Sequence, residues 1–427
     1  MSESPVPAGR SPRSPSGAPH LLVLAAYRFP GGDAMSNRLL QLARSATAPG
    51  TTTVVVNDWP TGTTRPVLDP PLPEEIRLLT LPTTSGGRLA RWWHRQSRPL
   101  RVLAALRQAG IRRTDLSGVC VPLGLWNLTT CAVLRLALRR PITVDVVERH
   151  DPEQFGLGRL APYFIRHRWS TFLAARLADR IIAISTALHR HFALRRPTLV
   201  VPPQVDSAGY APPAPPSLRS GVRLLYAGTA GPKDLLSVVV EGIARLPRTQ
   251  RKRVHLTVAG VGRDQVADLS DLKTAGMDEL ADEITFLGRV PRDRVLAELG
   301  QAHFSILVRP DAGYSRAGFP SKVPESLAAG CPVLLNHTSD LARYVTDGQE
   351  GLVLAGATPD DFRDGLLRAL ALDDDSWRLM SRAARVRASD FDYRSWTSTV
   401  AGFVVGLGRG SGTADSASVA SSAALSR

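Results

Sequence analysis

The chain has 427 residues, 43% of them hydrophobic and 21% charged, which is the composition of a globular protein with room for two or three domains of ~150 residues. No stretch approaches the ~18 consecutive apolar residues of a membrane-spanning helix, and Cys120, Cys131 and Cys331 show no metal-ligand spacing and sit beside apolar runs, so buried, reduced thiols are expected. The net charge of +15 and pI near 10.6 favour anionic partners, namely nucleic acid, an acidic membrane face or phosphate-bearing substrates, although the excess of Arg over Lys also fits a GC-rich coding background.

Residues 1–19 are rich in Ser, Pro and Gly and are expected to form a disordered tail, as are residues 408–427. The apolar run from Leu21 is short for a signal sequence and opens a first strand, Leu21 to Tyr27. A cytoplasmic protein is expected, with peripheral attachment at the inner face of the cell membrane as its further possibility. The strand runs into Arg28-Phe-Pro-Gly-Gly-Asp33 and a helical pattern from Ala34 to Ala46. Strand, glycine turn and helix is how a nucleotide-binding α/β domain begins. Gly31 and Gly32 allow a ligand to approach the backbone closely, although the spacing is not GxGxxG and a simple tight turn is the alternative.

Thr51 to Asn57 is a second, β-branched strand, followed by an irregular Pro-rich piece to Thr84. Residues 88–113 form a basic helical stretch with Trp92 and Trp93, a pattern suited to an anionic membrane surface. The alternative is a solvated basic face with two core tryptophans. Strands are expected at Val119 to Leu123 and Ile142 to Glu148, separated by a helix near Leu125 to Leu138. Ligands bind beyond the carboxyl ends of parallel strands, which makes His150 and Asp151 candidate site residues. A helix from Pro162 to Ala178, the strand Arg180 to Ser185, a helix to Leu194 and the strand Thr198 to Pro202 complete a first domain, 20–204.

Residues 205–220, with Ala211-Pro-Pro-Ala-Pro-Pro216, read as a stiff linker. A second domain, 221–388, repeats the alternation. Val222 to Ala227 leads into Gly228-Thr-Ala-Gly-Pro-Lys-Asp234, and Val254 to Ala259 into Gly260-Val-Gly262. Ile284 to Leu287 and His303 to Val308 are further strands, with helices at Leu341, Phe362 and Trp377. Residues 389–407 form a closing apolar helix. The fold class expected is α/β, with two doubly wound Rossmann-like domains facing across a cleft.

One stretch concentrates the chemistry: Gly318-Phe-Pro-Ser-Lys-Val-Pro-Glu-Ser-Leu-Ala-Ala-Gly-Cys-Pro-Val-Leu-Leu-Asn336. Pro320 and Pro324 mark a helix start, Gly330 its end, and Val333 to Leu335 a buried strand. Ser321, Lys322 and Glu325 therefore fall where free backbone N–H groups and the positive dipole end favour an anion. Glu325 is either a structural dipole partner or an acceptor for sugar hydroxyls. Gly228 and Lys233 at a strand-to-helix turn suit a diphosphate. No clustered ligands, GxSxG elbow or Walker lysine compete with this reading.

These motifs resemble the retaining GT-B glycosyltransferases of group 1, glycosyltransferase family 4. Gly318 to Asn336, continuing to Asp347-Gly-Gln-Glu-Gly351, looks like that family's donor-binding signature, and Gly228 to Lys233 like its phosphate turn. Gly260-Val-Gly262, Phe286-Leu-Gly288, Pro30-Gly-Gly32 and Asp151-Pro-Glu153 match looser landmarks. Phe391 and Trp396 resemble the helix that crosses back to the first domain. The resemblance implies transfer of a sugar from a nucleoside-diphosphate sugar to a hydroxyl acceptor with retention, in polysaccharide or glycolipid assembly, without a metal or other cofactor.

In that family pattern Glu325 binds the ribose and Lys233 the diphosphate. Ser321 and Lys322 hold phosphate or the transferred sugar, and Gly31 and Gly32 close over the donor. Three departures stand out: Ala317 replaces the first Glu of the paired-Glu signature, Thr229 an Arg, and Asp234 a Gly. Arg309, Arg316 or Lys322 would supply the missing phosphate charge, and His150 or Asp151 would orient the acceptor or handle its proton. The acceptor is expected to be lipid-linked if residues 88–113 bind a membrane. No nucleic-acid-binding motif is present. The alternative function is a catalytically silent nucleotide-sugar-binding paralogue acting as a partner subunit, motivated by Ala317 and Thr229.

Overall fold

Alternation along short apolar strands builds the first sheet of this computed structural model. The structure describes residues 20–25, 29, 33–47, 49–60, 71–83, 87–229, 233–268 and 277–405. In β1 (His20–Leu24), Leu22 and Leu24 enter one buried cluster while Leu21 and Val23 enter another on the opposite face. The other strands are β2 (Thr52–Pro60), β3 (Ile76–Thr83), β4 (Leu116–Pro122), β5 (Ile142–Val146), β6 (Arg180–Ala183) and β7 (Thr198–Val200). All pair in parallel in the order β3-β2-β1-β4-β5-β6-β7.

A second parallel sheet has the order β10-β9-β8-β11-β12-β13. It is built from β8 (Val222–Ala227), β9 (Val254–Ala259), β10 (Ile284–Gly288), β11 (Phe304–Leu307), β12 (Val333–Leu335) and β13 (Gly351–Val353). Both sheets are doubly wound, so each has a switch point, between β1 and β4 and between β8 and β11, where the strand order reverses and a ligand crevice forms.

Several expectations need correction. Residues 76–83, expected to be irregular, form β3; Pro82 removes a ladder donor, which an edge strand tolerates, and β3 is the edge. The single basic helix expected over residues 88–113 is two, Arg88–Gln96 and Arg98–Gln108, broken where Pro99 enters the first turn of the second. Trp92 and Trp93 are 53% and 68% exposed, so they are not core residues. The helix expected at Leu341 is one 3₁₀ turn, Leu341–Arg343. Both tails, Gly31, Gly32 and Gly231 lie outside the described residues.

The Pro-rich linker is pinned to the second domain rather than free. Ala214 N–H donates to Gly300 O at 2.8 Å, and the Pro216 carbonyl meets His303 Nε2 at 2.7 Å. The helix Tyr393–Val405 returns to the first domain and packs on Ala34–Ala46, burying Val400 and Val404 with Leu21 and Val23. Apolar packing also bridges the domains directly, with Phe319, Val323 and Leu327 in one cluster with Val146 and Ile184. Hydrogen bonds add to this: Ser185 Oγ donates to Ala317 O at 2.6 Å, and Asp340 accepts from both the amide and the hydroxyl of Thr186. Cys120, Cys131 and Cys331 are buried, and burial pushes the Cys131 thiol up to about 12.

Candidate functional site

The two switch points face one cleft. Its walls include Ala34, Arg38 and Glu148 from the first domain and Lys233, Arg309, Ser321 and Glu325 from the second. Helix Lys322–Ala328 begins there with Ser321 at its N-cap, as the proline and glycine punctuation implies.

Lys322 reaches back from this helix under β8, where its ammonium pairs with Asp234 and lies 4.6 Å from the Tyr226 ring centroid. Gly228 makes this approach possible. Its φ of 154° suits glycine, and a Cβ there would collide with the Lys322 side chain. Arg309 Nε donates to the other Asp234 oxygen at 2.8 Å. Asn336, the last residue of the motif, clamps the Arg309 backbone by accepting from its N–H at 2.8 Å and donating to its carbonyl at 2.7 Å. Burial acts to raise the Asp234 carboxyl, but Lys322 and Arg309 hold it below the usual carboxylate range. Burial lowers Lys322, with Asp234 opposing it.

Lys233 crosses the cleft to Glu148 of the first domain, Nζ to Oε2 at 2.7 Å. The other Glu148 oxygen meets His150 Nε2 at 3.0 Å. Burial opposes the Glu148 charge, yet the His150 hydrogen bond and the Lys233 ammonium bring its carboxyl down to about 2. His150 Nδ1 faces Gln154 Oε1 at 3.2 Å, an oxygen that also accepts from the Asp151 amide at 3.0 Å. Both ring nitrogens thus face side-chain oxygens. Tyr163 Oη lies 3.4 Å from His150 Nε2, and the His167 ring stacks edge-on at 4.7 Å. Burial, then His150, pulls His167 down to about 4.

Glu325 accepts from Arg292 Nη1 at 2.8 Å, and Arg292 Nη2 donates to the Tyr210 hydroxyl at 3.0 Å. Asp151 abuts Gly313 so closely that a Cβ there would strike its carboxylate, which makes this a further point where the domains meet. Arg316 is not brought to the cleft; it is exposed and paired with Asp311 at 2.7 Å. Ala317 is 3% exposed within the interdomain apolar cluster, so a carboxylate at that position would lie in a nonpolar setting. Ser315 also lines the cleft, and its buried hydroxyl has no hydrogen-bond partner among the described residues. A second, polar pocket beside Gly228 is lined by Thr229, Gly260, Val261, Gly262, Gln265, Asp268 and Arg289.

The structure therefore brings Gly228, Lys322, Arg309 and Asp234 together, places Ser321 and Glu325 on the same wall, and joins Lys233 to His150 through Glu148. Sequence reasoning missed Glu148, Arg292 and Tyr210. It noted Asp234 only as a departure from a glycine. The one available signal for Glu148 was its position just past β5, the same signal that selected His150.

Residues 221–372 match the family model described as glycosyl transferases group 1. A D-inositol 3-phosphate glycosyltransferase of Geodermatophilus obscurus is 28% identical over 242 residues, covering 52% of this chain and 51% of that protein. Its counterpart from Arthrobacter sp. (strain FB24) is 32% identical over 206 residues, covering 46% of this chain and 47% of that protein. The chain thus spans about half the length of the curated relatives it matches. Among solved structures, sucrose-phosphate synthase from Thermosynechococcus elongatus superposes with a TM-score of 0.69 at 15% identity, over 91% of this chain and 99% of that one. WaaG, a glycosyltransferase involved in lipopolysaccharide biosynthesis, gives 0.61 at 16% identity, over 90% and 100%. Anabaena HepE in complex with UDP-glucose gives 0.61 at 15% identity, over 90% and 98%. The second domain matches the group 1 glycosyltransferases over residues 221–372, and the two domains together have the GT-B glycosyltransferase fold.

Proposed function

We propose that this protein transfers a sugar from a nucleoside-diphosphate sugar to a hydroxyl acceptor, with retention at the anomeric carbon, in polysaccharide or glycolipid assembly. One observation carries the reading. Lys233, Lys322 and Arg309 converge at the carboxyl ends of β8 and β11, beside Glu325, within the segment that matches the family. The names of the relatives support glycosyl transfer, and the UDP-glucose complex of a fold neighbour supports a nucleotide-sugar donor.

As the bond from the anomeric carbon to the diphosphate breaks, negative charge grows on the leaving phosphate. The three cations are placed to stabilise it without a divalent ion, and Lys233 exchanges Glu148 for phosphate. The acceptor oxygen bonds to the same face of the anomeric carbon, and its proton passes to the leaving phosphate oxygen. Glu325 takes ribose hydroxyls, and the pocket beside Gly228 takes the base. His150 and Asp151 orient the acceptor from the first domain. This reading places the enzyme in the cytoplasm with a lipid-linked acceptor. No helix among the described residues is long and apolar enough to cross a membrane, so contact with lipid would be peripheral.

A panel of nucleotide sugars, screened by thermal stabilisation and then by turnover, tests the reading. Lys233→Ala and Glu325→Ala are each expected to lose about 100-fold in turnover, and EDTA to leave it unchanged. Full turnover in both variants would sink the site assignment. A second reading, a silent nucleotide-sugar-binding subunit, draws on Asp234, which already neutralises Lys322 and Arg309, and on the buried Ala317. Calorimetric nucleotide binding with no turnover on any donor–acceptor pair would favour it.

A further inference from the structure

The net charge of +15 is confined to half of the chain. Residues 1–204 contain 27 Arg, no Lys and 12 Asp and Glu, whereas residues 205–427 contain 26 basic and 26 acidic side chains. Four helices of the first domain concentrate the bias. Arg88–Gln96, Arg98–Gln108, Leu125–Leu138 and Pro162–Leu177 carry ten arginines and no Asp or Glu. They are consecutive neighbours in space. The last three supply Leu106, Leu134 and Ala174 to the cluster that holds Leu22 and Leu24, so they cover one face of the first sheet. Ala34–Ala46 and Tyr393–Val405 close the other face.

The layer turns apolar side chains to solvent. Ile165, Trp169 and Phe172, spaced i, i+4 and i+7 on one side of their helix, are 41%, 56% and 43% exposed. At the other end of the layer Leu89, Trp92 and Trp93 are exposed, and Leu136 lies between at 81%. Arg95, Arg107, Arg166, Arg168 and Arg176 are exposed and make no ion pair among the described residues. Arg176 lies over the Phe172 ring at 3.9 Å and Arg166 over the Tyr163 ring at 5.1 Å, so the arginines edge the apolar stripe.

We propose that this four-helix face docks on the surface of an anionic lipid bilayer. Indole and aliphatic side chains enter the interfacial zone while guanidinium groups meet lipid phosphates. A nucleic acid would engage the arginines but leave Leu89 and Leu136 in water. A second copy would set arginine against arginine across a self-complementary interface. The surface extends well beyond residues 88–113, because the fold lays Leu125–Leu138 and Pro162–Leu177 beside them. In the first turn of Pro162–Leu177, Tyr163 reaches His150, so docking sets that end of the cleft beside the bilayer. The meaning of this last point for a lipid-linked acceptor rests on the proposed glycosyl transfer; the docking does not.

Vesicle flotation of the full chain tests it without any turnover. Partition onto phosphatidylglycerol–phosphatidylcholine vesicles should exceed that onto pure phosphatidylcholine about tenfold and fall at high salt. The pair Trp169→Ser and Phe172→Ser, and separately Arg166→Glu and Arg168→Glu, should each reduce partition about fivefold or more. In the unaltered chain, tryptophan fluorescence should be quenched by brominated lipid, a readout that does not depend on how a variant folds. Unchanged partition in both pairs, or absent quenching, overturns the proposal. Retention by single-stranded DNA that survives the Trp169 and Phe172 changes overturns it in favour of nucleic acid. Self-association abolished by those same changes overturns it in favour of a second copy.

Discussion

Asp234 sets the charge of the cleft. It stands where the resembled pattern has glycine, and it holds both Lys322 and Arg309. Under the proposed function, a donor diphosphate would share these cations with a carboxylate that is already in place. Removing that carboxylate leaves two cations facing each other in a poorly solvated site, which is costly. Asp234→Ala is expected to melt lower than the parent and to gain more melting temperature from added nucleoside diphosphate than the parent does; equal gains would show that the diphosphate does not use these cations. His167 contributes to the pH dependence, beside other histidines that burial also lowers. Its folded value is about 4 against an ordinary 6.5, so the unfolded chain binds more protons between those limits. Stability should fall as pH drops from 6.5 towards 4 and fall no further on this account below 4. His167→Phe keeps a ring against His150 and should make the melting-temperature profile shallower across that window; an unaltered profile would assign the dependence to the other lowered histidines.

At the scale of elements, Phe391 joins the segment that starts at Gly318 to the returning helix. It is fully buried, with its ring 4.5 Å from Tyr344 and 5.8 Å from Phe319, just ahead of Tyr393–Val405. Phe391→Ala should cost about 3–5 kcal/mol in urea unfolding, and a loss below about 1 kcal/mol would mean that the surroundings collapse into the space. Local signals made most elements legible. Residues 125–138 are helical as expected from their pattern, and β8 and β9 occupy the expected residues. The helix start at Lys322 was legible because prolines and glycines act on their immediate neighbours. β3 was not, because Pro82 argues against a strand unless one knows that the strand lies at the sheet edge, and sheet order is not a local property.

At the scale of the whole molecule, the domains are joined at the cleft and behind it. Asp340 of the second domain accepts from the Thr186 amide at 2.7 Å, at the start of helix Thr186–Phe192 in the first. Asp340→Ala should cost about 1–3 kcal/mol, the range for leaving a hydrogen-bond donor without its partner. It should also speed amide exchange over Thr186–Phe192; exchange that stays at the parent rate would mean that the pair does not hold the domains together. Lys233 and Glu148 make the matching link inside the cleft, one that a bound phosphate would break.

By itself the sequence determined two runs of alternating strands and helices, the proline-rich connection between them, and the position of Ser321, Lys322 and Glu325 at a helix start. Periodicity and turn chemistry act over a few residues, so these features are written locally. Only the tertiary structure decided that Lys233 meets Glu148, that Arg292 meets Glu325 and that Asp234 holds Arg309 and Lys322. These partners lie 85, 33, 75 and 88 residues apart. Sheet order and the apposition of two domains set such pairings, and no local signal encodes them. The same holds for Ala317, whose burial depends on the facing domain, and for Trp92 and Trp93, whose exposure depends on which side of a helix its neighbours cover.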